Sequence, residues 1–314
     1  MARARGANAL LHTAFQGALN AVPAAGASWF RQPFVSSTMG EERGLIESDL
    51  LGLGREMSDP TLDVASDVGD LTVPVDTENF GRWLKLAMGA PVTTGTGPYE
   101  HVFTSGATAL PLMLVEIGHP EIPTYAKHLN CRLNQMRIAM QRQGLLNAVC
   151  SLIATTEADP ANATAAGVAP TVLAAQRFAQ ATGSVLKDGV QLAGVVSAEL
   201  TMSNNLDPVE TIKADGRIED SDPGMFGAMG SITVRFQDLA LLNAATSGDP
   251  IELEFGWTLG DASLVFNLPR VFLPKVKRPV EGPRGIQASF NWQSSGADGH
   301  ALTATLTNEV AAYA

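Results

Sequence analysis

The feature that most constrains this chain is a two-residue alternation between Leu133 and Ile153. Met136, Ile138 and Met140 alternate with Gln135, Arg137 and Gln141, Gln143-Gly144 interrupts, and Leu146, Ala148, Cys150 and Leu152 resume the pattern. Successive side chains of a strand point to opposite faces, so the spacing predicts an antiparallel hairpin with one apolar and one polar face. Such a hairpin needs a cover for its apolar face and partners for its edges. A similar pattern closes the sequence. Ile286, Ala288, Phe290 and Trp292 alternate with Gln287, Ser289 and Asn291, and after a polar loop Leu302, Ala304 and Leu306 alternate with Thr303, Thr305 and Thr307. This predicts a second hairpin of the same design.

Another recurrence sets the spacing of the two halves. Gly69-Asp70-Leu71-Thr72-Val73 is echoed by Gly230-Ser231-Ile232-Thr233-Val234, an offset of 161 residues, and Phe236 continues the second copy. Each copy leads from a strand into a short helical pattern. The first runs from Thr77 to Met88, with Phe80, Trp83 and Leu84 at helical spacing, and the second from Asp238 to Ala245, with Leu239 and Leu242. Thr77 and Asp238 are the expected N-caps, and Gly89 and Gly248 the expected stops. Strand, helix and hairpin in the same order point to tandem duplication. The expected division is an N-terminal arm at 1–28, a first β domain at 29–156, a connector at 157–184 and a second β domain at 185–314. The connector is rich in Ala and Thr, contains Pro160 and Pro170, and has room for one short helix around Val172 to Gln180.

Composition narrows the class of partner. With 45% hydrophobic and 17% charged residues the chain is a folded protein, neither disordered nor fibrous. A net charge of -11 argues against a grip on nucleic acid through phosphates, while a wall that DNA slides past remains compatible. Cys131 and Cys150 are too few for a disulfide scaffold and lack zinc spacing. Arg3 and Arg5 precede a short apolar run, but His12, Gln16, Gly17 and Asn20 interrupt it before a leader could form. No apolar stretch reaches the ~20 residues of a membrane span, so no membrane anchoring is expected.

Catalytic spacings are missing. No phosphate loop, His-Glu-x-x-His or Gly-x-Ser-x-Gly occurs. His12, His101, His119, His128 and His300 are never four residues apart and read as ordinary solvated or capping histidines. The Gly224, Gly227, Gly230 run precedes a strand, whereas a dinucleotide fingerprint opens a helix. The acidic stretch Glu219 to Asp222 reads as a solvated turn, because a calcium loop starting at Asp220 would need Glu where Ser231 stands. Asn162-Ala163-Thr164 matches a glycosylation pattern without a secretion signal to support it. Arg270, Lys275, Lys277, Arg278 and Arg284 form a basic, proline-rich segment. It serves either to block sheet aggregation or to pair with an acidic surface on a neighbouring copy. Neither a cofactor, a metal nor a catalytic residue is expected.

Several strings together resemble a tail tube protein of long-tailed bacteriophages. They are Gln32 to Ser37, Gly44 to Asp49, Gly69 to Val73, Phe80 to Gly89 and Gly97-Pro98-Tyr99-Glu100-His101-Val102-Phe103. The resemblance is strongest over residues 8 to 156 and looser in the second half. It implies a mainly β fold of two tandem β-sandwich tube domains, each with a short helix and a long hairpin that forms part of a ring-closed inner barrel. It further implies rings stacked into the tail tube through which DNA leaves the virion, assembled in the bacterial host cytoplasm. The implied partners are further copies of the chain, tape-measure, tail-tip and terminator proteins, and passing DNA without specific binding. If one-domain relatives form sixfold rings, the tandem copy implies a threefold ring of pseudo-sixfold geometry. The polar hairpin faces then make Gln135, Arg137, Gln141, Gln287, Ser289, Asn291, Thr303, Thr305 and Thr307 candidates for facing the lumen. The arm and the Gly40 to Asp59 loop are candidates for reaching an adjacent ring. Rival readings are a tail terminator or baseplate ring that does not stack, a type VI secretion tube protein, and a carbohydrate-binding or adhesion module. The last is disfavoured by 6% aromatic residues.

Overall fold

The computed structural model describes residues 3–51, 54–235, 240–277 and 286–313. Phe236, Asp238, Leu239, Arg278, Pro279, Pro283 and Arg284 lie outside the described residues. Strands β1 (Leu10–Gln16), β2 (Phe30–Gln32), β3 (Ser36–Ser37), β4 (Gly40–Ile46) and β5 (Thr61–Pro74) precede helix α1 (Phe80–Met88). Then follow β6 (Val92–Thr94), β7 (Tyr99–Thr104), β8 (Leu112–His119), β9 (Thr124–Met140), β10 (Asn147–Ala154) and β11 (Thr156–Ala161). The second half contains β12 (Ser184–Lys187), β13 (Val190–Gln191), β14 (Val195–Ser203), β15 (Asp207–Pro208), β16 (Ser221–Asp222) and β17 (Gly227–Arg235). After helix α2 (Ala240–Ser247) come β18 (Ile251–Leu259), β19 (Ala262–Phe272), β20 (Gln287–Ser294) and β21 (Thr303–Asn308). The protein is mainly β, with one large antiparallel network and a separate β15–β16 pair.

Two layers share one core. The first runs β4-β5-β10-β9-β14-β17-β20, and the second runs β13-β12-β18-β19-β21-β7-β6. Met136, Leu200, Ile232 and Trp292 from the first layer and Phe255, Phe266 and Leu306 from the second belong to a single buried cluster. Phe255 and Trp292 stack across the layers with ring centroids 5.8 Å apart. The expected hairpin at 133–153 is present as β9 and β10, with Ala148 opposite Ile138 and Cys150 opposite Met136.

Strand β9 is shared by two sheets. Its first half pairs with β8 and β11 beside β1 and β2, and its second half with β10 and β14. The change of partner falls at Asn130, whose φ of 56° is left-handed, a conformation Asn tolerates better than most residues. Its buried amide is fully used: Nδ2 donates to Thr155 Oγ1 (2.7 Å) and Asn20 Oδ1 (2.9 Å), and Oδ1 accepts from the Asn20 N–H (2.8 Å).

Several expectations are corrected. The second hairpin does not form. Among the described residues β20 pairs with β17 and the end of β19, whereas β21 pairs with β19 and β7, so the two runs lie in opposite layers. Alternation predicts strands and their faces but not which strand lies next door. The helix expected around Val172 to Gln180 is extended chain instead, because its backbone bonds strand ends: Phe178 N–H to Val75 O, and Leu146 N–H to Phe178 O, both at 3.0 Å. Within the expected arm at 1–28, Leu10–Gln16 pair with β8, and Leu11 and Ala14 are buried. His12, His101 and His128 are buried rather than solvated, each bonded to another side chain.

The glycines of the echo have a common cause. A Cβ on Gly69 would lie 2.6 Å from Thr38 O, and one on Gly230 would lie 1.8 Å from Glu199 O. Both copies need glycine because a neighbouring backbone passes too close for a side chain. Helix α1 also follows the echo, but its N-cap position is Asn79, whose side chain makes no cap bond, and the free N–H groups there are met from farther back. The Asp76 carboxylate, not Thr77, accepts N–H bonds from Glu78 (3.0 Å), Asn79 (2.5 Å) and Phe80 (3.3 Å). Burial pushes the Asp76 carboxyl up to about 6 despite these bonds. Gly89, at φ 94°, ends α1, and Gly248, at φ 75°, follows α2. Tyr313 seals α1: its hydroxyl donates to Glu78 O at 2.7 Å, and its ring occupies the space where a Gly81 Cβ would sit, 2.1 Å from the nearest ring atom.

Two predictions follow from α1. Alanine normally favours a helix over glycine by ~1 kcal/mol, yet Gly81→Ala is expected to lower the melting midpoint by ~3 °C or more, because displacing Tyr313 costs more than propensity returns. A raised midpoint in a thermal melt contradicts this packing. For Asp76, a folded pKa above the unfolded one means a stability contribution present below pH ~4 and lost as pH rises through ~6. The midpoint difference between Asp76→Asn and wild type should therefore shift in favour of the variant between pH 4 and pH 7. A pH-independent difference contradicts the assignment.

Candidate functional site

The outward face of the first layer is a continuous, mainly polar surface built from both halves of the chain, with Val149 and Met229 as apolar interruptions. The layer's core-side residues are apolar apart from the buried Asp67 on β5, so alternation puts the intervening residues outward. Across the layer run Asp70 and Thr72 on β5, Val149 and Ser151 on β10, Gln135 and Arg137 on β9, Glu199 and Thr201 on β14, Ser231 and Thr233 on β17, and Ser289 and Asn291 on β20. The seam between the halves is the β9–β14 pairing, from Met140 opposite Ala198 to Gln135 opposite Ser203.

Side chains on this face bond one another. Ser151 Oγ donates to Asp70 Oδ1 at 2.6 Å, and Thr233 Oγ1 to Ser289 Oγ at 3.1 Å. Across the seam Arg137 Nη2 meets Glu199 Oε2 at 2.5 Å, and that carboxylate raises the guanidinium further above its ordinary value. The charge at the seam is thus internally compensated.

The candidate lumen residues fall into two groups. Gln135 and Arg137 on β9 and Gln287, Ser289 and Asn291 on β20 share this face, and Gln141 lies exposed just past β9, where its N–H donates to Gln180 Oε1 at 3.1 Å. Thr303, Thr305 and Thr307 are half-buried on β21 in the second layer, between β19 and β7. The β14 residues Ser197, Glu199, Thr201 and Ser203 were not among the candidates. Their alternation with Ala198, Leu200 and Met202 carries the same signal.

Two further surfaces stand out. The expected loop at 40–59 starts as one strand of a two-stranded ribbon, with Gly40 opposite Val68 and Ile46 opposite Thr61, and its described residues 47–51 and 54–59 form the loop at the ribbon's tip. From Glu42 to Val64 every described residue is exposed, including Leu45, Ile46, Leu50, Met57 and Leu62, and Leu51 is 96% exposed. So many exposed apolar side chains mark an interaction surface. The ribbon is anchored at its root by Glu41. Burial raises that carboxyl, but Arg217, which donates Nε at 2.7 Å and Nη2 at 2.9 Å, holds it below its ordinary value. The layer also ends in open edges: among the described residues Gln287 to Trp292 of β20 pair only with β17, and β4 only with β5. Open edges are templates for another strand.

No reactive thiol is present, since burial pushes Cys131 and Cys150 well above the ordinary thiol range. A broad, mainly polar face, open sheet edges and an exposed apolar ribbon and loop are surfaces that suit contacts with other protein chains. Residues 6–294 match the family of phage tail tube proteins, and the chain belongs to that family. It is accordingly a structural virion component of the phage tail. A comparison with curated proteins gives no match.

The seam ion pair is half-exposed, and such pairs contribute ~0–1 kcal/mol. Arg137→Gln should shift the melting midpoint by no more than ~2 °C. A much larger loss would show that the seam depends on this charge pair and not on the backbone ladder and core beneath it.

Proposed function

We propose that the chain polymerises as stacked rings into the tail tube and that its polar layer face lines the conduit for DNA. The observation that carries this reading is the continuity of that face across both halves. It presents hydroxyls, amides, the Asp70 carboxylate and a compensated Arg137–Glu199 pair around Val149 and Met229, a surface that stays wet without gripping phosphates. Gln135, Arg137, Gln287, Ser289 and Asn291 lie on the proposed lumen wall, together with Thr201 and Thr233. Gln141 sits at its rim, and Thr303, Thr305 and Thr307, on the other layer, are left out.

Ring closure would give the open edges at β20 and β4 partners from neighbouring copies, which removes an aggregation hazard of the isolated chain. With residues 29–156 and 185–314 as tandem tube domains joined by 157–184, three chains would form a pseudo-sixfold ring. The apolar β4–β5 ribbon would reach the adjacent ring. In the infected cell the tube would be assembled in the host cytoplasm with tape-measure, tail-tip and terminator proteins.

The exposed loop at the ribbon's tip provides the test. Leu51→Glu combined with Met57→Glu alters only exposed side chains, so the melting midpoint should stay within ~2 °C of wild type. Under conditions where wild-type protein forms hollow tubes in negative-stain micrographs, the variant should yield rings or single chains. Normal tubes from the variant would contradict the stacking role.

A further inference from the structure

We propose that Asp67, His128 and Glu157 form a binding site for one divalent transition-metal ion of the zinc type. The three come from β5, β9 and β11, and one ligand atom from each lies within 4.8 Å of the others. Asp67 and His128 are 4% and 1% exposed, and Glu157, directly opposite His128 in the β9–β11 register, is half-buried.

Charge is the first argument. Two carboxylates converge on one imidazole, and among the described residues neither Asp67 nor Glu157 forms an ion pair with a lysine or arginine. The nearby Arg217 is committed to Glu41. A buried carboxylate without a full counter-charge is costly, and a divalent ion would neutralise both acids at once.

Geometry is the second. His128 Nδ1 lies 2.9 Å from Asp67 Oδ1 and 3.0 Å from Oδ2. Tetrahedral ligands held at ~2.0–2.2 Å around one ion are ~3.4 Å apart, so an ion could replace the hydrogen-bonding proton if these two residues separate by about half an ångström. Glu157 would close in by side-chain rotation, and water would complete four-coordination. One imidazole and two carboxylates suit a borderline ion such as zinc better than calcium or magnesium, which prefer larger all-oxygen sets. A cavity of about 470 Å³ lined by Asp67, Val64, Ile153, Ile212 and Arg217 reaches the site on its Asp67 side.

The ion would pin β5 and β11 to β9 beside Asn130, where β9 changes sheets. The inference does not depend on tube assembly, and its test uses the unassembled full-length chain. After chelator treatment and dialysis, zinc chloride titrated into wild-type protein should bind at about one ion per chain and raise the melting midpoint. Glu157→Gln keeps an oxygen for the Glu41 N–H, bonded at 2.8 Å in the wild type, and should remain folded. Its zinc affinity should fall tenfold or more, and His128→Gln should abolish the zinc-dependent shift. No stoichiometric binding by the wild type, or equal affinity in Glu157→Gln, overturns the proposal.

Discussion

The backbone ladder between β9 and β14 is the interaction on which the architecture depends. It joins residues on either side of the 157–184 segment into one sheet, so the halves share a core and an outer face. Each ladder bond contributes only ~1 kcal/mol net, but the apolar side chains beneath it, Ile138 opposite Leu200 and Met136 opposite Met202, lock the register. A slip by one residue would turn Arg137 and Gln135 into the core and Ile138 out to solvent. The buried face therefore determines the polarity of the outer one.

Strand β9 reaches that ladder only because it crosses between sheets at Asn130. A left-handed residue there breaks the pleat, and its backbone N–H and side-chain amide are satisfied by Gln16 and Asn20 from the end of β1 and the turn after it and by Thr155. The metal site inferred from Asp67, His128 and Glu157 would brace the same crossing two residues before Asn130. Sheet change, seam and polar face thus form one chain of dependence.

Much of this was legible in the sequence, and the reasons for the rest are specific. Period-two alternation revealed the faces of β9, β10, β20 and β21, and the echoed Gly69 and Gly230 marked strands crowded by neighbouring backbone. Pairing was not legible, because β20 and β21 carry identical alternation whether or not they are neighbours. The burial of His128 was equally hidden: its partners are 61 residues before it and 29 after, and they meet only through strand register. The connector's helix failed for a similar reason, since local composition could not reveal that Phe178 would be buried between strand ends.

The central claim is that the polar face of β5-β10-β9-β14-β17-β20 lines a bore formed by copies of the chain. A cryo-electron microscopy reconstruction of assembled tubes tests it directly. The account predicts that Arg137, Thr201, Thr233 and Ser289 point into the lumen, with three chains per ring and edge strands paired between them. A tube in which this face packs against protein or forms the outer wall would contradict it.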